Sequence, residues 1–188
     1  MSAAQEQRVV VELADADATR AYGRALAGVL RAGDLVILTG DLGAGKTTLT
    51  QGIGAGLGVR GQVASPTFII ARVHPPLPRA GEADGGPAGA AAGGTVPGTS
   101  LVHVDAYRLG SLDEVDALDL DASLDESVTV VEWGEGLVEA LAQDRLEIAL
   151  RRPRGDAATG SDDDPSAGVR TVTVTAVGER WAGVALPR

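Results

Sequence analysis

Apolar positions along this chain follow two different periods, and the switches between them lay out its elements. Residues 8–13 (RVVVEL) are valine-rich and predict a strand. Ala21, Ala25, Leu26, Val29 and Leu30 then recur at helical spacing, with Asp15 or Asp17 as the cap and Gly33-Asp34 as the stop; Tyr22, at the edge of that face, reads as core. A second apolar run, 35–38, breaks into a glycine-rich turn and a helix that presents Leu49, Ile53 and Leu57 inward and stops near Gly58. After the Ser65-Pro66 turn, 68–73 predicts a strand. Residues 101–104 and 128–131 are continuous apolar runs of buried strands, each leading into an acid, Asp105 and Glu132. Between them, 111–124 sets Leu112, Val115, Leu118, Leu120 and Leu124 among acids, as one acidic amphipathic helix or two short ones, and 136–142 suggests a further short helix. Residues 145–150 and 170–177 alternate with the period of strands open to water on one face.

Two stretches break these patterns. Residues 75–99 form a Pro/Gly/Ala tract with almost nothing to bury, expected as a mobile insertion within one domain. The polar run 153–168 contains Asp162-Asp163-Asp164, which in such a setting reads as a solvated turn and not as a metal site. At 188 residues, one domain spanning 1–188 is expected.

Composition narrows the chemistry. There is no cysteine, which excludes disulfides, zinc-thiolate sites and thiol catalysis. The N-terminal residues lack the basic-then-apolar order of a signal peptide and no apolar run approaches membrane-spanning length, so a soluble cytoplasmic protein with no membrane partner is expected. Net charge is -10, and twelve acids against the single Arg108 lie between His103 and Asp144. Such a surface repels phosphate backbones and disfavours tight unaided binding of nucleic acid. A solvated face and a partner-docking face fit it equally well.

The strongest chemical signal sits at the turn after residue 38. Gly40, four residues, then Gly45-Lys46-Thr47 fits the phosphate-loop pattern, placed as the pattern requires between a strand and a helix. The backbone of Asp41, Leu42, Gly43, Ala44 and Gly45 would cradle phosphates, Lys46 would reach the terminal ones, and the Thr47 hydroxyl would hold magnesium, with Thr48 beside them. Lys46 is the only lysine; the other fifteen of sixteen basic residues are arginines. A position that keeps a compact ammonium in so arginine-rich a chain is one where a planar guanidinium does not serve. In a parallel sheet the ligand lies outside the carboxyl ends of the strands, so Asp105 and Glu132 should both project towards the triphosphate. One such acid orders magnesium and another group positions water; the residues leave open which does which. Thr67, in the short hydroxyl-bearing loop, reads either as a nucleotide sensor or as part of a plain turn, and local chemistry favours the turn.

Four motifs in order, G-D-L-G-A-G-K-T-T, S-P-T-F, H-V-D-A-Y-R and V-E-W-G-E, closely resemble the TsaE family (also called YjeE), bacterial ATPases of tRNA threonylcarbamoyladenosine synthesis. The resemblance runs from about Val9 to about Leu150 and leaves the 75–99 loop and the part after 150 outside the family pattern. It implies a single P-loop NTPase domain of the α/β class: a largely parallel central sheet with added antiparallel strands and helices on both faces. It implies ATP and Mg2+ as cofactors, with Lys46 and Thr47 on the phosphates and magnesium, Thr67 in a switch loop, Asp105 orienting or activating water, and Glu132 as second magnesium ligand. Trp133 would touch nucleotide or partner, and His103, Tyr107 and Arg108 would shape the site or pack beneath it. The implied partners are the TsaD and TsaB proteins, whose complex modifies adenosine 37 of tRNAs reading ANN codons, so that tRNA is met only through the complex.

Two other functions share the loop. A small-molecule kinase needs a cationic lid, against which the arginine-poor 103–144 stretch argues. A nucleotide-switched binding module would suit the acidic face. A slow rate without partners is expected, since no arginine stands out as a charge-stabilising finger.

Overall fold

The computed structural model describes residues 7–66, 70–78, 98–111, 114, 124–152 and 168–188. Its elements, in chain order, are β1 (Gln7–Leu13), α1 (Ala16–Ala27), β2 (Leu35–Thr39), α2 (Lys46–Leu57), β3 (Ala71–His74), β4 (Ser100–Asp105), β5 (Ser127–Glu132), β6 (Arg145–Arg151) and β7 (Arg170–Val177), with 3-10 turns at Glu139–Leu141 and Glu179–Trp181. The strands form one sheet in the order β1-β7-β6-β2-β5-β4-β3. Its middle, β6, β2, β5 and β4, is parallel. Strands β3, β7 and β1 join antiparallel at the two sides. A single α/β domain with a largely parallel centre is therefore what the chain forms; the two runs that read as buried, in β4 and β5, are fully covered, as is most of β2 beside them.

Alternation along the strands divides the core in two. Val36, Leu38, Leu101, Val128, Val130, Leu146 and Ile148 pack with α1 and α2 in the larger cluster. Leu35, Ile37, Val102, Val104 and Val131 face the other way and are covered by Leu109, Leu137, Val138 and Leu141. Both α-helices among the described residues thus lie on one face, and the opposite face is closed by the chain around 106–109 and the 3-10 helix Glu139–Leu141, which lies within the stretch 136–142 expected as a short helix. Most of the acidic stretch 111–124, of the 75–99 tract and of the 153–168 run lies outside the described residues. So do Phe68 and Ile69, and the strand expected over 68–73 is observed as β3.

Helix α1 starts as its sequence dictates, with Asp15 accepting the amide of Ala18 at 2.8 Å. Its buried face is Ala16, Thr19, Tyr22, Gly23, Leu26 and Ala27. Ala21 and Ala25, expected inward, are exposed. The reason is the way α1 meets α2: a Cβ on Gly23 would lie 2.5 Å from the carbonyl oxygen of Leu49, and one on Gly52 would run into that of Arg20. The helices touch backbone to backbone. Helix α1 also ends at Ala27 with Gly28 as its cap, earlier than Gly33. The chain then turns so that Asp34 accepts the amide of Arg31 at 2.8 Å and ion-pairs with Arg180 at 3.0 Å.

Candidate functional site

The loop between β2 and α2 turns at three glycines of positive φ, Gly40, Gly43 and Gly45. Gly40 has φ 136°, and a Cβ there would strike the carbonyl oxygen of Leu150; Gly45 has φ 108°, and a Cβ would sit 3.2 Å from Arg170 Nε. Helix α2 begins immediately after Gly45 with no side-chain cap and no acid in its first turn. Its leading amides, which every helix must satisfy from outside, are left for an anion. Helix α1, by contrast, starts under the Asp15 carboxylate.

Lys46 is buried at the base of this loop. Its Nζ donates to the carbonyls of Gly40 (2.7 Å) and Asp41 (3.0 Å) and lies 3.8 Å from the ring centroid of Trp133. Burial holds its pKa below the usual lysine value, and the nearby charges of Glu132, Asp105 and Asp41 oppose that shift. Trp133 follows β5 directly and adopts φ 62°, a left-handed conformation that otherwise favours glycine. Such backbone costs on the order of 1–3 kcal/mol and persists where its surroundings over-determine it. Here the Trp133 amide donates to Leu38 at 3.1 Å, and the ring meets the exposed Tyr107 edge-on at 5.4 Å.

Asp105 and Glu132 are register partners at the carboxyl ends of β4 and β5. Each is held from two sides. Glu132 accepts from the Thr47 hydroxyl, 3.0 Å to Oε1 and 3.2 Å to Oε2, and its Oε1 lies 2.8 Å from Nε2 of the fully buried His103. Asp105 accepts from the amide of Tyr107 at 3.0 Å and from the Ser65 hydroxyl at 3.2 Å. Both carboxylates, with Leu42, Gly43, Gly45, Lys46, Thr47 and Thr48, line one cavity of about 720 Å³. Ala44 is buried beneath the loop, and Leu42 is 93% exposed at the mouth. Thr67 lies outside the described residues, two positions beyond Ser65.

The cavity wall also contains two arginines, Arg20 and Arg170. Sequence reasoning passed over both. Arg20 sits on the outer turn of α1, paired with Asp17 at 2.7 Å, and reaches the cavity only because α1 and α2 touch. Arg170 opens β7, is buried, and donates to the Gly168 carbonyl at 2.8 Å. Neither carries a local motif. Among the described residues no group of three or more His, Cys, Asp or Glu is placed to hold a metal ion.

The family model for the threonylcarbamoyl adenosine biosynthesis protein TsaE matches residues 13–158. The chain belongs to the TsaE family. It is 58% identical over 87% of its length to the tRNA threonylcarbamoyladenosine biosynthesis protein TsaE of Streptomyces coelicolor, covering 93% of that protein. It is 35% identical to the protein of that name from Bacillus subtilis, over 87% of this chain and 82% of that one. Among solved structures, Bacillus subtilis YdiB superimposes with a TM-score of 0.61 at 29% identity, covering 95% of this chain and 91% of that chain. Every site residue named above except Arg170 falls within the TsaE match.

Proposed function

We propose that this protein is a magnesium-dependent ATPase of the cytoplasm that serves threonylcarbamoyladenosine formation at position 37 of tRNAs reading ANN codons, acting on the TsaD–TsaB complex. The observation that carries the reading is the convergence of Thr47, Glu132 and Asp105 at the mouth of an uncapped, glycine-turned phosphate loop. Family membership supports the pathway.

In this reading the amides from Asp41 to Thr48 and the Lys46 ammonium bind the phosphates. Thr47 and Glu132 hold magnesium, whose bound charge would neutralise the phosphate oxygens. The fit is testable on geometry. Their oxygens are 3.0 Å apart. Neighbouring ligands of an octahedral ion with ~2.1 Å bonds are separated by about 3 Å. Two oxygen donors and no full protein cage suit a cation that arrives on the triphosphate. Asp105, fixed by Tyr107 and Ser65, orients the attacking water from the β4 side, and Thr67 belongs to the adjoining switch loop. Turnover in isolation is expected to be slow.

The test is release of inorganic phosphate from ATP and magnesium, with and without TsaD and TsaB. Stimulation by the partners is expected. Fast turnover unchanged by them would remove the partner dependence, and label appearing on a metabolite would turn the reading towards a kinase.

A further inference from the structure

Glu132 belongs to the proposed magnesium site, and one of its oxygens faces a buried histidine of the neighbouring strand. His103 is completely buried on β4, and its Nε2 lies 2.8 Å from Glu132 Oε1. Both side chains project from the α2 face of the sheet, on adjacent parallel strands. The same oxygen is 3.0 Å from the Thr47 hydroxyl. The other imidazole nitrogen, Nδ1, is buried with no hydrogen-bond partner among the described residues. A carboxylate only accepts, so it is Nε2 that donates in this pair.

We infer that His103 is a positioning residue: it clamps Glu132 Oε1 with an Nε2–H donor and thereby sets the angle at which the carboxylate is presented beside Thr47. The reasoning is steric and directional. A glutamate has three rotatable bonds, and the Thr47 hydroxyl alone contacts both oxygens at similar distance, which leaves the carboxylate free to swivel. A rigid imidazole behind it removes that freedom. Carboxylates that bind metal are in turn hydrogen-bonded, and loss of such a support lowers metal affinity ten- to a hundredfold. His103 touches neither phosphate nor water in this role; it acts through Glu132.

The inference rests on the assignment of Glu132 to magnesium, and its test separates the two. Gln and Asn at 103 carry the same amide, but only Gln reaches the position of Nε2. ATP affinity is measured by calorimetry in EDTA and again in magnesium for wild type, His103→Gln and His103→Asn. Affinity in EDTA should be the same in all three. The gain on adding magnesium should be kept within about threefold by Gln and fall ten- to a hundredfold with Asn. Equal gains for Gln and Asn would overturn the role of His103. A wild type with no magnesium gain would instead overturn the metal assignment of Glu132. Should His103→Asn fail to fold, His103→Leu supplies the donor-free variant for the same comparison.

Discussion

Replacing Gly52 by alanine adds a single methyl group where α1 and α2 cross, and two opposed effects decide the outcome. Alanine in a helix interior is favoured over glycine by about 1 kcal/mol. Against it, the new Cβ would lie 2.9 Å from both the carbonyl carbon and the Cα of Arg20, and closer still to that carbonyl oxygen. Carbon atoms rest at roughly 3.5–4.0 Å, so the helices must part by on the order of 1 Å. Overpacking of this kind costs about 1–3 kcal/mol, and the upper end applies because both sides are backbone and no side chain can rotate away. Gly23 and Gly56 hold the same close approach above and below, so the strain cannot be passed along the crossing. The net expectation is a loss of about 1–2 kcal/mol, which for a chain of this size lowers Tm by roughly 2–8 °C. Urea titration followed by circular dichroism measures it as a lower midpoint at unchanged slope. Because Ala16 and Arg20 of α1 wall the cavity, ATP should also bind more weakly. A Gly52→Ala protein as stable as the parent or more so would refute the view that this crossing is closed to a side chain.

Lys46→Ala should weaken ATP binding at least ~100-fold, on the order of a lost charge-assisted contact in a dry site, while leaving the far-ultraviolet spectrum unchanged; calorimetry and circular dichroism check both halves. Tyr22→Phe removes the hydrogen bond from the phenol to the Pro187 carbonyl (3.1 Å), at a cost of about 1 kcal/mol near neutrality. Burial pushes the Tyr22 pKa from 10.0 to about 12, so its neutral form favours the fold. That contribution is complete below pH 10 and is lost as pH rises through about 12; denaturation across this range should show the alkaline loss in the parent and not in the Phe variant. Arg180→Ala strips Asp34 of its guanidinium partner and should cost ~3–5 kcal/mol at pH 7. Burial already raises the Asp34 pKa, and the lost partner raises it further, so the deficit should shrink as pH falls and Asp34 protonates. A deficit equally large at pH 4.5 and pH 7.5 would contradict this.

Much of the site was legible because its chemistry is local in sequence. The phosphate loop is contiguous, and the rule that ligands gather at the carboxyl ends of parallel strands places Asp105 and Glu132 beside it. Helix α1 shows where such reading stops. Its buried stripe runs through Gly23, which carries no hydrophobic signal, so the pattern shifted onto Ala21 and Ala25. A periodicity of apolar side chains cannot register a contact made by their absence. Arg20 was missed for the same reason, since only that contact carries it to the cavity. Arg170 was hidden differently: it opens a strand whose alternation is otherwise regular, and its burial depends on β7 lying next to β6, an order that no local pattern encodes.

That strand order has a consequence for how the protein is made. Among the described residues strand β1 pairs only with β7, and β7 is also what joins β1 to β6 and the rest of the sheet. Strand β1, made before β7, therefore waits, valine-rich, until β7 has been synthesised. The α1 phenol and the Pro187 carbonyl, 165 residues apart, meet at the same late stage. A nascent chain halted before β7 holds the whole phosphate loop but not the arginine behind Gly45. The loop should thus reach its final surroundings only once β7 has joined the sheet.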